Sequence, residues 1–426
     1  SSRSAAAAAV AVLLLPLTLP LIVCWTSRSR ADTSRCPVDS LLPFLATADA
    51  GVDAVSIYSE DLSVRNLSSQ NGLSFDNIYS GRRVLVTGHT GFKGSWLALW
   101  LKHLGAKVAG FSIDIPCTPS NFELLGLEQR LQHYVGDIRD RACLAKVIDA
   151  FKPDIVFHLA AQALVKCSYA DPVTTFETNI MGMVNLLECV RDRPWISATV
   201  LITSDKAYRN VEWCWGYRET DALGGNDPYS GSKSCADLVA QSYFHSYLRH
   251  TPTQVAITRA GNVIGGGDWA DDRIVPDCIR AWSLGESVEV RSPQATRPWQ
   301  HVFDVLNGYI NLAVKLKLNK KINGQAFNFG PRVENKREVL NIVKEMSINW
   351  KGVKWEIKKD KQLKESNLLQ LNSLKAKKHI KWECKLNLKQ AINFTIEWYK
   401  TFYYHRKNLF SFSVNQINRF NNLKKR

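Results

Sequence analysis

From Arg83 onward the chain alternates short apolar runs with segments whose apolar residues recur at three- and four-residue spacing. Arg83–Thr87, Lys107–Ile113, His133–Gly136, Ile155–Leu159, Ala198–Thr203 and Gln254–Arg259 read as strands. Ser95–Leu104, Thr174–Val190 and the segment carrying Lys233 read as helices. This alternation predicts an α/β fold built on a doubly wound parallel sheet. Such a sheet binds ligands beyond the C-terminal ends of its strands. After Gly261 the pattern breaks into Gly- and Pro-rich loops with shorter elements, the mark of a smaller substrate lobe.

The first 80 residues do not share this pattern. Ala5 to Trp25 is a 21-residue run without charge, preceded by Arg3 and followed by Arg28 and Arg30. That length suits a membrane span or a signal segment, whereas Pro16 and Pro20 would disturb a spanning helix. Residues 1–80 are therefore set apart as a leader and linker, with membrane contact expected only if the run 5–25 is used. Otherwise the expected location is cytoplasmic.

With 426 residues, 45% apolar and 22% charged, the chain has the composition of a folded protein of one large or two smaller domains. Its net charge of +16 changes meaning once it is located. Residues 331–426 hold 23 Lys and Arg against 8 Asp and Glu, so the excess is a property of the last quarter. No nucleic-acid module accompanies it, and no nucleic-acid partner is expected. The ten cysteines are scattered without a C-x-x-C pair, which predicts free thiols and no metal site.

Three groups of residues carry chemistry. Gly88-x-x-Gly91-x-x-Gly94 sits between a strand and a helix, where glycines let backbone N–H groups approach a pyrophosphate. Asp114 ends the second strand and suits ribose hydroxyls; its charge would repel a 2′-phosphate, which favours NAD over NADP. Asp137 is expected at the adenine end, or else as a helix cap before Arg139. Tyr229 and Lys233 lie one helical turn apart, so the ammonium can lower the pKa of the phenol. Between these motifs, Thr203-Ser204-Asp205-Lys206 concentrates polar groups at a strand end, a costly arrangement without a use.

The glycine turn, Asp114, His158-Leu-Ala-Ala-Gln162, Asn179, the triplet Ser204-Asp205-Lys206 and the Tyr/Lys pair together resemble the extended short-chain dehydrogenase/reductases. Within that family, Gly88–Trp96, Thr203–Tyr208, Arg259–Trp269 and Arg297–Val302 resemble the CDP-glucose 4,6-dehydratases. The likeness runs from about Gly81 to the C-terminus. It implies an NAD-binding Rossmann domain over 81–260, a substrate lobe over 261–403 interleaved with the core, and a basic tail over 404–426. It also implies a homodimer or higher homo-oligomer. Gly88, Thr90, Gly91, Phe92, Gly94, Asp114, Asp137, Ile138, Ala160, Ala161, Tyr229 and Lys233 would then hold NAD.

The resemblance also implies roles. Tyr229 takes the O4 proton, Ser204 bonds O4, and Asp205 protonates the departing C6 hydroxyl, for which it must be kept neutral. Lys206 either is held neutral and takes the C5 proton or stays charged and stabilises the enolate. Asn179, Asn262, Arg273, Arg297 and His301 would bind CDP-glucose, the arginines gripping its diphosphate. Trp213 and Trp215 are candidates to line the sugar pocket. Two rival readings remain: a nucleotide-sugar 4-epimerase of the same fold, which has no leaving group for Asp205 to protonate, and a catalytically silent dinucleotide-binding scaffold.

Overall fold

The computed structural model describes residues 78–332, 336–350, 352–358, 368–405 and 408–423. The leader and the apolar run 5–25 lie outside the described residues. Among those described, no helix is long and apolar enough to cross a membrane.

Seven parallel strands form the central sheet: β1 (Arg83–Thr87), β2 (Lys107–Ser112), β3 (Gln132–Val135), β4 (Ile155–His158), β5 (Ala198–Ile202), β6 (Gln254–Ala260) and β7 (Gln325–Phe329). Their spatial order is β3-β2-β1-β4-β5-β6-β7, so the direction of winding reverses beside β1. The crevice at that reversal is where a doubly wound sheet takes its ligand. β5 and β6 are buried along their whole length, which is why they read as unbroken apolar runs.

Helix α1 (Phe92–His103) is buried from Gly94 to Leu101, because helices cover it on the side away from the sheet. Trp96 and Trp100 pack edge-on against Phe303 of α6 (Val302–Leu318), once α2 (Arg141–Phe151), α3 (Gly182–Arg191), α4 (Pro228–Tyr243) and α5 (Ile274–Ser283) have been counted along the chain. α6 lies against β5 and β6.

The structure corrects one expected element and fills in others. The helix expected over Thr174–Val190 starts at Pro172, capped by Asp171, and contains a π turn at Glu177–Met181 before α3. β7 had no counterpart in the sequence reading. Residues 261–403, expected as a lobe interleaved with the core, contribute β7 to the central sheet. The expected basic tail contains a capped helix, α8 (Leu409–Asn421), which follows α7 (Leu388–Lys400). Its Ile417 and Phe420 are fully buried, and Phe420 meets Trp100 edge-on. A basic composition did not prevent α8 from having an apolar face.

Candidate active site

The glycine turn is shaped by close packing. Gly88 has φ +73, and a Cβ there would come 2.7 Å from the Ala160 nitrogen. A Cβ on Gly94 would come 2.0 Å from the Gly88 carbonyl oxygen. Gly91 is different: a Cβ on it would meet only that same oxygen, at 3.5 Å, so its outer side is open. As N-cap of α1 it has no side chain to take the leading amides, and the first turn carries no acid. Those unclaimed N–H groups and the helix dipole make an anion cradle, which fits a dinucleotide pyrophosphate.

Thr90 and Asp114 are tied together, the Thr90 hydroxyl donating to the Asp114 carbonyl at 2.6 Å. Burial and the neighbouring Asp137 charge push the Asp114 carboxyl upward, which places the two acids at one end of the crevice. Asp137 accepts from the Arg139 amide at 2.8 Å and pairs with its guanidinium, while Asp140 caps α2. Ile138 is buried against Gly182. The Ala160 amide donates to the Thr87 hydroxyl, which also bonds the buried His158 ring at 2.8 Å. Ala161 follows, partly exposed along the same edge.

The polar run at the end of β5 closes into a tight turn. Thr203 donates to Asp237 at 3.1 Å, and Asp237 is held in a bidentate pair with Arg259 at 2.7 and 2.8 Å. Both members of that pair are fully buried, and Arg259 also bonds the Tyr208 hydroxyl. On this base Ser204 caps a single 3₁₀ turn, Asp205–Ala207. Its hydroxyl donates to the Asp205 carboxylate at 3.0 Å and acts on the Tyr229 phenol, whose ionised form it favours.

Electrostatics separate the roles available to these groups. Burial pushes the Asp205 carboxyl up, against the opposing pull of Lys206, Ser204 and Lys93. A carboxyl so placed is ready to hold a proton. Lys206 is partly buried on the same turn. Tyr229 departs from expectation: burial raises its phenol, with Ser204 opposing. Its partner Lys233 is itself pushed down to about 7, first by burial and then by Lys93, so its ammonium alone does not lower the phenol.

Lys93, on the first turn of α1, is a site residue the sequence reading did not single out. Burial and Arg273 push its amine down to about 8, while Asp205 and Asp268 pull the other way. Asp268 also bonds Arg273 at 2.8 Å and holds that guanidinium charged. Arg273 in turn faces Tyr229 electrostatically. The visible signal was a lysine at the head of an otherwise apolar helix, directly after the glycine turn.

The remaining candidates separate. Asn262 is exposed next to Gly261, and Arg297 is partly exposed on the short strand Thr296–Pro298. Asn179, on the π turn, spends its amide on both backbone groups of Gln162 and on Ser232, so it positions the wall of the crevice. His301 does not join the site. It is 1% exposed, its Nδ1 accepts from the Phe303 amide, and its ring packs on Phe303 and Phe394. Its expected contact with substrate is thus corrected: the ring belongs to the core. Trp213 stacks obliquely on Tyr217, and Trp215 is 71% exposed.

Comparison with known proteins points the same way. Residues 85–395 match the family model described as GDP-mannose 4,6 dehydratase. A CDP-glucose 4,6-dehydratase of Salmonella typhimurium is 44% identical over 330 residues, which covers 76% of this chain and 92% of that protein. The Thermus thermophilus UDP-glucose 4-epimerase, solved with NAD, superposes with a TM-score of 0.64 at 25% identity, covering 75% of this chain and 99% of that one. The Streptomyces venezuelae dTDP-glucose 4,6-dehydratase shares the fold with a TM-score of 0.64 at 23% identity, covering 76% and 100%. A glycine turn open at Gly91, a protonatable Asp205 beside the Ser204–Tyr229 pair and these matches converge: the chain belongs to the GDP-mannose 4,6 dehydratase family, within the extended short-chain dehydrogenase/reductases.

Proposed function

We propose that this protein is an NAD-dependent CDP-glucose 4,6-dehydratase, a hydro-lyase that forms CDP-4-keto-6-deoxy-glucose. The reading rests on one observation above the others. A buried carboxyl inclined to hold its proton, Asp205, accepts from the Ser204 hydroxyl, which also acts on the Tyr229 phenol. An oxidation at C4 needs only the hydroxyl, the phenol and a cofactor. The carboxyl supplies the acid that elimination adds.

The cradle at Gly91, with Asp114 and Asp137 at its far end, fits NAD. When bound, NAD accepts the hydrogen of C4 with its electron pair and later returns it to C6. Tyr229 takes the O4 proton, and the Ser204 hydroxyl aligns phenol and sugar oxygen. Asp205 gives its proton to the C6 hydroxyl, which leaves as water once the C5 proton has been removed. Lys206, on the same turn, serves the C5 position, either as a neutral base or as a cation beside the enolate. Arg273, held charged by Asp268, suits the substrate diphosphate, with Arg297 and Asn262 at the open side.

Exposed Tyr169, Val173 and Leu238 lie on or beside the helices flanking the Tyr229 element. They suit pairing of two copies, as expected for a homodimer. The activity is tested by incubating the protein with CDP-glucose and NAD and reading the alkaline absorbance of a 4-keto-6-deoxy sugar. Product is expected. Absence of product under conditions where cofactor is bound would overturn the reading, and formation of the C4 epimer instead would favour the epimerase alternative.

A further inference from the structure

At the opposite edge of the sheet, where β6 and β7 begin, the surface forms an open depression of about 580 Å³. This lies within the size range of small-molecule sites. The seven residues of β6 separate it from Gly261 by about 20 Å along the strand. It is thus no part of the site around Asp205.

Its lining has a consistent chemistry. Arg249, Lys320, His245 and His250 face it, and no carboxylate lines it. Neither Arg249 nor Lys320 forms an ion pair with the described residues, and both are exposed. The general basic excess of the chain does not account for this cluster, because that excess lies in residues 331–426. The lining comes from elsewhere.

Two further observations point to a ligand with more than charge. Gln254, the first residue of β6, is 8% exposed, and its Oε1 has no hydrogen-bond donor among the described residues. Its amide nitrogen reaches only the Pro252 carbonyl, at 3.3 Å. A buried acceptor left in this way costs stability unless a donor reaches it. Phe244 forms another wall, and its ring packs against the backbone of Gly324, where a Cβ would come within 2.1 Å of it. A flat apolar ring, an acceptor without a donor and a pair of uncompensated cations match the three parts of a nucleoside phosphate. The apolar part of a base suits Phe244, an exocyclic amine suits Gln254 once its amide turns towards the opening, and the phosphates suit Arg249 and Lys320.

We propose that this depression is a second nucleotide site, taking a nucleoside diphosphate at a position remote from the catalytic residues. Its walls are the far ends of two elements that carry the active site. The π turn Phe244–Leu248 continues α4, which begins with Tyr229, and β6 leads to Gly261. The proposal does not depend on the dehydratase reading.

Calorimetric titration of the full chain with CDP tests it. The wild-type protein is expected to bind one more CDP per chain than the R249E/K320E double variant. That variant is expected to keep its melting temperature and its kcat and KM for CDP-glucose. Inorganic pyrophosphate is likewise expected to bind the wild-type protein with one more site per chain than the variant. Gln254→Leu is expected to weaken CDP at this site about tenfold while leaving pyrophosphate unchanged, the loss of one hydrogen bond to a neutral group. Equal CDP stoichiometry in wild type and double variant would overturn the site. Equal CDP affinity in wild type and Gln254→Leu would overturn recognition of the base.

Discussion

A Cβ on Gly261 would sit 2.7 Å from Oδ2 of Asp205, closer than real Cβ atoms approach an oxygen. Asp205 therefore rests its carboxyl on the bare backbone that follows β6, and burial there is what pushes its pKa up. The position of the acid depends on the absence of a methyl group 56 residues further along the chain. Gly261→Ala should displace that carboxyl while leaving Ser204 and Tyr229 in place. Misplacing a catalytic group by about 1 Å costs roughly 10²-fold. The expected result is slow elimination with retained C4 oxidation, seen as NADH absorbance building up in a single turnover with CDP-glucose. Equal loss of both steps would mean that Gly261 serves the fold alone.

Asp205→Asn removes the proton and keeps the shape. The same build-up of NADH is expected, and its absence together with loss of hydride transfer would refute the acid role. Stability gives a second, independent reading. The folded pKa of Asp205 lies above its unfolded value, so the native state holds a proton that the unfolded chain has released. That contribution is complete below the unfolded pKa, about 3.9, and is lost as pH rises through the folded value. Asn does not titrate. Asp205→Asn should therefore melt higher than wild type at pH 7, with the difference shrinking as pH falls towards about 4. A constant difference across that range would contradict the raised pKa.

The strands of the nucleotide half were legible because β4, β5 and β6 are buried on both faces and leave continuous apolar runs. β7 escaped because Gln325-Ala-Phe-Asn-Phe mixes polar and apolar residues, and Asn328 is buried for its bonds to Tyr208 and Tyr217. The π turn around Asn179 escaped for a different reason. One extra residue in a helix shifts the facing of side chains without erasing their apolar spacing. In the site, Ser204 and Asp205 were readable from consecutive polar residues at a strand end, and Tyr229 from its one-turn spacing to Lys233. Lys93 and Gly261 were not, since their importance lies in what packs against them. His301 was assigned by resemblance alone, whereas its apolar neighbours Val302 and Phe303, both fully buried, place the segment in the core.

Lys206→Glu separates the two roles open to this lysine. A glutamate keeps the capacity to take a proton from C5 and reverses the charge. If Lys206 acts by proton transfer, the variant should retain measurable dehydration of CDP-glucose. If its charge stabilises the enolate, activity should fall by about 10²–10³-fold, the usual effect of removing one such group. C4 oxidation, read in a single turnover, should persist in either case, and its loss would place Lys206 in the first step instead.

Beneath the triplet, the Asp237–Arg259 pair is removed from water on both sides, with side chains 0% and 1% exposed. Asp237 accepts from Thr203 and Gln241 as well as from Arg259, so its charge is answered on every side. Asp237→Asn leaves the Arg259 guanidinium buried with only the Tyr208 hydroxyl and the Glu219 carbonyl for company. Removing one member of a buried pair typically costs about 3–5 kcal/mol. A loss of that size is expected in urea unfolding, together with lower activity, because Thr203 loses an anchor directly before Ser204. The double variant Asp237→Asn with Arg259→Met removes both charges and should recover much of the stability, since an isolated charge is no longer left buried. If the double variant is no more stable than Asp237→Asn, the pair matters for its hydrogen bonds to Thr203 and Tyr208 and not for mutual compensation of charge.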